Sequence, residues 1–528
     1  MFDLIIKKAN IITGKPDEDI KEGDIGIKNG KIVKIGKLKN ELSFKEINAE
    51  NDFVCPGFID INNSADHNFS LFYHPSAENF IRQGVTTVII GNQGVSLAPL
   101  IKGSLLNFEK WIDASSYNIN WITVKDLLEV LEKKKIGVNI GALVGWGNIR
   151  SDLTGGEFRN LSKDELEKGQ YLIERSLKEG ALGVSFGLNY YHEKMVGVKE
   201  VLEIAKIVKK YEGYLSFSLR DPGKNFLKSL EEILEIADLS NLEIEINNFL
   251  NKVTDHLVFK KGVESISRFN EKKELVNFDL SPYDYQLENI FEILPEWVAI
   301  GKRENFLKNL IDPLFRKKIL EELKEKRDIY SDAIIIEADR KWWLTNSVLR
   351  ELSKRFNLSI EETILKLTQI CNNQLLFLVK NTNIENINEG IKNYYSFISS
   401  DAGFSSLETT EKKAWVHPKT FANFIKFLKQ SIQERESYSL AKAVAKLTFL
   451  VAQKIGIKNR GLIKEGYQAD IVILDLNKLN DLADFSNPFQ YPTGIKTVIL
   501  NGQIAYHKGV MAGQCYGQIV RKEINKTK

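Results

Sequence analysis

At 528 residues, with 43% hydrophobic and 27% charged side chains, the chain has a globular composition and is long enough for a barrel with an accessory domain. Its 73 basic and 70 acidic residues leave a net charge of +3, which points to neither a nucleic-acid nor a membrane partner. Asp3, Lys7 and Lys8 interrupt the apolar run at the N-terminus, no stretch approaches a membrane span, and three cysteines make no exported disulfide scaffold, so a cytoplasmic location is expected.

The first fifty residues read as β-strands. DLIIKKANIITG and IGIKNGKIVKIG are strand-like runs, and Asn29-Gly30 between alternating apolar residues is a two-residue hairpin signal. The C-terminal end repeats this grammar in ADIVILD (469–475) and in IKTVILNGQIAYHKG, which turns at Asn501-Gly502. Each end alone would expose sheet edges and an apolar face, so residues 1–54 and 456–528 are expected to form one composite β-sandwich.

Between them, strand-like runs alternate with amphipathic helical ones, the pattern of a parallel α/β fold. Eight strand candidates appear: FVCPGFIDIN, VTTVIIGNQG, VNIGALVGWG, ALGVSFGL, GYLSFSLR, EIEINNFL, LVNFDLSPY and YSFISSDAG. The intervening pieces carry helix punctuation, as in residues 162–180, with a Ser cap and a Gly stop. Residues 55–455 therefore predict a (β/α)8 TIM-type barrel, with an insertion at about 284–340 between the seventh and eighth strands.

Eight motifs run in order along the chain: PGFID (56–60), QGVTTVIIGNQGVSLAPL (83–100), GALVGWGNIR (141–150), GALGVSFGLNYY (180–191), SSDAG (399–403), HPKTF (417–421), GLIKEGYQADIVILD (461–475) and NPFQYPTGIKTVILNGQ (487–503). Together they resemble the N-acyl-D-amino-acid deacylase (D-aminoacylase) family of the amidohydrolase superfamily. That resemblance implies hydrolysis of an amide at the C-terminal ends of the barrel strands, with zinc activating a water and polarising the carbonyl.

Carried over strand by strand, the family's metal ligands fall on residues that are poor zinc donors. The His-x-His pair after the first strand falls on Asn62 and Ser64, and the cysteine after the second on Gln93. The histidines of the fifth and sixth strands fall on Ser218 and Asn248, and Trp146 stands for a histidine after the third. The aspartate after the eighth strand remains, as Asp401. The six histidines are His67, His74, His192, His256, His417 and His507, and none is expected at a ligand position; Asp66, His67 and His74 are the alternative metal group. The resemblance also places Tyr190, Arg220, Tyr283 and Lys419 toward substrate, with Lys419 standing where relatives have an arginine.

Three readings follow from these residues. In the first, the chain is a pseudo-hydrolase without zinc or another cofactor, whose fold serves binding, assembly or regulation of a protein partner or a homo-oligomer. In the second, it is an active C–N hydrolase with a non-standard site in which Asp401 is general base and Arg220 or Lys419 stabilises the oxyanion. In the third, it binds a small-molecule carboxylate through Arg220 or Lys419.

Overall fold

A computed structural model describes residues 1–101, 119–250, 252, 255–299, 308–338, 341–371, 375–380, 382–407, 415–433 and 439–522. The run expected as a single first barrel strand is two strands in two different sheets. β5 (Phe53–Pro56) joins the terminal sheet, whereas β6 (Phe58–Asp60) opens the barrel. Gly57 makes the break: a Cβ there would stand 2.2 Å from Thr86 Oγ1, and its N–H donates to Asp470 O at 2.9 Å. Hydrophobicity alone does not reveal such a change of sheet.

The terminal sheet begins with β1 (Phe2–Ile11), β2 (Lys21–Lys28), β3 (Lys31–Gly36) and β4 (Ser43–Asn48). From the other end come β17 (Ile471–Leu474), β18 (Ile495–Leu500), β19 (Gln503–His507) and β20 (Val510–Met511). Strand β17 pairs with β5, so both termini enter one hydrogen-bonded sheet of nine strands. Both hairpin turns are left-handed at Asn29-Gly30 and Asn501-Gly502, as a two-residue hairpin requires. The sheet folds over until those turns touch, with Gly30 and Gly502 in contact around a shared core that includes Ile6, Ile27, Ile471 and Ile499.

The barrel continues with β7 (Val85–Ile90), β8 (Asn139–Gly145), β9 (Gly183–Gly187), β10 (Tyr214–Ser218), β11 (Ile244–Asn247) and β12 (Val276–Leu280). It ends with β16 (Ser396–Ile398), giving eight parallel strands in sequential order. The first and last strands meet at the mouth, where Asp401 N–H donates to Asn62 O at 3.0 Å. Outward-facing residues of alternating register, such as Ile244, Ile246 and Phe278, join the main core under the outer helices. Phe186 and Phe217 stack there, ring centres 4.9 Å apart. The helix Lys163–Lys178 is held by a capping box between Ser162 and Glu165.

The insertion is longer than expected, running to Lys380 rather than ending near residue 340. Its strands β13 (Tyr285–Asn289), β14 (Ile334–Ala338) and β15 (Leu375–Lys380) form a separate antiparallel sheet. A core of its own, including Ile290, Leu323, Leu349, Leu365 and Phe377, gathers helices that lie beyond the expected boundary near residue 340. Among the described residues, no helix is long and apolar enough to cross a membrane.

Candidate functional site

Period-two alternation sends every second barrel residue inward, and near the C-terminal ends those residues are polar. Ser216, Glu245, Asn247 and Asp279 are all buried. Ser216 Oγ donates to Asn247 Oδ1 at 2.8 Å, and Asn247 Nδ2 donates to Glu245 Oε2 at 2.7 Å. Four donors converge on Asp279: Asn62 Nδ2 at 3.3 Å, Asn247 Nδ2 at 3.4 Å, the Asn248 N–H at 3.1 Å and Ser399 Oγ. Burial, reinforced by the neighbouring Asp279 charge, holds the Glu245 carboxyl well above the usual carboxylate range; burial also raises Asp279. Beside them Asp60 accepts from Ser400 Oγ at 2.5 Å and Ser400 N–H at 3.1 Å, and burial pushes it up to about 8.

Above this floor lie Asn62, Gln93, Asn248 and Asp401. Gln93, Asn248 and Asp401 all have positive φ, at 56°, 47° and 44°, a conformation that costs a non-glycine residue and that clusters at functional sites. Tyr190 Oη donates to Gln93 Oε1 at 3.0 Å, and Gln93 Nε2 reaches Asp401 Oδ1 at 3.5 Å. Lys419 Nζ donates to Asp401 Oδ2 at 3.2 Å and to Gln286 Oε1 at 3.1 Å, with its side chain only 6% exposed. Asn62 Oδ1 is fully buried and has no hydrogen-bond partner among the described residues. Ser64 and Ser218 are half-buried; the Ser64 N–H donates to Ala402 O at 3.1 Å.

Other singled-out residues lie outside this group. Arg220 makes two bonds to Glu232, at 2.9 and 2.7 Å, and donates twice more, to the carbonyls of Lys194 and Val196. Tyr283 is buried edge-on to His417 and Phe485, with Lys426 over its ring at 3.8 Å. Trp146 turns away from the mouth: buried, it donates Nε1–H to Glu200 at 2.8 Å. Asp66 and His67 are buried 4.0 Å apart, with Asp66 accepting from Gly91 N–H at 2.8 Å. His74 lines a cavity of about 600 Å³ with Arg82, Met511 and Cys515, where the terminal sheet meets the barrel. Among the described residues, no three His, Cys, Asp or Glu side chains converge as a metal-holding group.

Several contributors to the mouth were missed in the sequence. Gln286, Glu288 and Glu292 come from the insertion, whose docking no local pattern announces. Lys252 Nζ pairs with Glu288 at 3.0 Å, and Tyr330 Oη donates to its other oxygen at 3.1 Å. Glu292 is exposed and accepts from Asn289 N–H at 2.8 Å; crowding by surrounding protein, then the Glu288 charge, raises its carboxyl above the usual range. His417 Nδ1 accepts from Lys419 N–H, so its Nε2–H donates to Tyr285 O at 2.9 Å; burial holds this ring well below its usual pKa. For Glu245 and Asp279 a signal was present: a carboxylate at an inward position of an otherwise apolar strand.

Residues 412–506 match a family model described as amidohydrolase family. The chain is 23% identical to D-aminoacylase from Alcaligenes xylosoxydans xylosoxydans over 523 residues, covering 99% of this chain and 98% of that protein. It is 24% identical to N-acyl-D-aspartate deacylase of the same organism, covering 98% and 95%. A crystal structure of N-acyl-D-glutamate deacylase from Bordetella bronchiseptica, complexed with zinc and a phosphonate inhibitor, superposes with a TM-score of 0.82 at 21% identity, covering 99% of this chain and 100% of that one.

Proposed function

An amidohydrolase domain homologous to the N-acyl-D-amino-acid deacylases is the premise from which we propose that this chain keeps the deacylase fold as a small-molecule binding protein without hydrolytic zinc. One observation carries the reading: Lys419 Nζ stands 3.2 Å from Asp401, the one carboxylate among the transferred ligand positions. An ammonium there supplies the positive charge that a metal would bring, and it would repel a divalent cation at the same oxygen. Asn62, Ser64, Gln93, Ser218 and Asn248 offer neutral amides and hydroxyls, which hold zinc poorly. Asn62 is already committed through Nδ2 to Asp279, and Gln93 to Tyr190 and Asp401. The donor set therefore does not fit the metal.

Elemental mass spectrometry of protein expressed with zinc, manganese and cobalt tests the reading. The expectation is less than about a tenth of an equivalent of each, with no release of acetate from N-acetyl-D-amino acids. A full equivalent of any one overturns it.

The Asp401–Lys419 pair also supports a second reading, a C–N hydrolase without metal in which Asp401 is general base and Lys419 oxyanion donor. Metal-independent turnover that disappears in Asp401→Asn would establish it over the first.

A further inference from the structure

The cavity of about 600 Å³ between the terminal sheet and the barrel shares no lining residue with the mouth described above. Its volume is that of a small-molecule site, and Ile81, Ala505, Met511 and Ala512 give it an apolar wall.

Arg82, on the same wall, is held in place from several sides. It closes the short helix Glu78–Ile81, and its guanidinium lies against two rings, 4.2 Å from the centre of Tyr491 and 5.1 Å from that of Tyr506. Nε donates to Glu78 Oε1 at 2.7 Å, and Nη2 donates to Gly509 O, in the turn between β19 and β20, at 3.1 Å. Nη1 has no hydrogen-bond partner among the described residues. Glu78 has both oxygens engaged, since its Oε2 accepts from Ser406 Oγ at 2.9 Å. The helix is fixed from behind as well. Asn79 Nδ2 donates to the carbonyls of Gly403 and Thr420 at 3.1 and 2.9 Å, and Gln83 Nε2 donates to Thr420 O at 3.0 Å. Arg82 is thus ordered before a ligand arrives, which lowers the cost of binding.

A guanidinium with its faces against rings and its inner edge paired offers its remaining N–H groups in its own plane. The two oxygens of a carboxylate match that geometry. With Glu78 engaged on both oxygens, this wall offers a ligand donors more readily than acceptors, and the apolar residues beside it suit a hydrocarbon body.

We propose that this junction cavity is a second ligand site, which takes a small carboxylic acid with an apolar body. Its carboxylate lies on the outer edge of Arg82 and its hydrocarbon against Ile81, Met511 and Ala512. The reading of the mouth neither requires this site nor is required by it.

Cys515 lines the same cavity and is half-buried, whereas Cys55 and Cys371 are buried, so alkylation of Cys515 reports on occupancy. The full chain is treated with iodoacetamide at about pH 9 in the presence of about 10 mM hexanoate or phenylpropanoate, or of the corresponding amides and amines. The carboxylates should slow modification of Cys515, followed by peptide mass spectrometry, about fivefold or more, and the amides and amines less than about twofold. In calorimetric titration, the better carboxylate should bind about tenfold or more weakly to Arg82→Lys, which keeps the charge and loses the planar fork. The same loss is expected in Ala512→Phe, which fills the cavity and leaves the Arg82–Glu78 pair in place. Equal protection by the amides or amines overturns the proposal. So does the absence of measurable binding of both carboxylates, or an affinity unchanged in Ala512→Phe, which would put the carboxylate elsewhere on the molecule.

Discussion

Lys419 and Asp401 give the clearest residue-scale prediction. Replacing Lys419 with Met leaves a partly buried carboxylate and Gln286 without their common donor, which costs about 1–3 kcal/mol of stability. Adding Asp401→Asn should return part of the loss, and denaturant unfolding of the single and double variants would measure the coupling. Glu193 supplies a pH dependence. It is buried, it accepts from Gly187 N–H at 2.9 Å, and burial pushes it from the usual 4.5 up to about 8. A carboxyl whose pKa is raised in the folded state binds its proton more tightly when folded. Its stabilising contribution is therefore full below about 4.5 and is lost as pH rises through about 8. Glu193→Gln should flatten the fall in Tm between about pH 5.5 and 8.5 relative to the parent chain, and an unchanged slope would assign that fall to other groups. The polar character of Asn62, Gln93 and Asn248 was legible in the sequence. That the Asn62 nitrogen joins Asp279 was not, because the two residues are brought together only by barrel closure.

At the scale of elements, Gly57 is the point where the chain leaves one sheet for another. A methyl group there would overlap Thr86 Oγ1 at 2.2 Å, so Gly57→Ala should destabilise by about 1–3 kcal/mol through displacement of β6 from β7, seen as a lower urea midpoint. The eight barrel strands were all legible, because each is a short apolar run between turn residues. The Ser162 cap and the turns at Gly30 and Gly502 were equally plain, since capping and left-handed turns depend on one or two residue types. The extent of the insertion was not. Its helices Leu349–Phe356 and Ile360–Ile370 are amphipathic in the same way as outer barrel helices, and nothing local says that their apolar faces close on β15 rather than on the barrel.

Over the whole molecule, three bodies meet: the terminal sheet, the barrel and the insertion. The sheet is joined to the barrel's N-terminal end through Arg460, which pairs with the buried Asp470 and reaches Asn501 at 2.9 Å. Asp470 in turn accepts from Asn139 of β8 at 3.0 Å. Arg460→Ala would strand this carboxylate, and a loss of about 3 kcal/mol in equilibrium unfolding is expected, more than from exposed pairs such as Lys34–Glu41. The insertion is tied to the mouth by His417 to Tyr285 O, Lys419 to Gln286 and Lys252 to Glu288.

The sequence by itself determined the barrel, the strand-rich character of both termini and the residue types at the positions compared with the family's ligands. Alternating and helical hydrophobicity act within a few residues, and a missing donor type can be read without coordinates. Only the tertiary structure decided which groups stand around Asp401. Lys419 lies 18 positions from Asp401, Gln286 comes from β13, and Glu292 follows that strand within the insertion. Pairing between side chains so far apart in sequence depends on chain closure, on which carboxylate each cation reaches first, and on how deeply each is buried. Those are properties of distance in space, not of neighbouring positions in the chain.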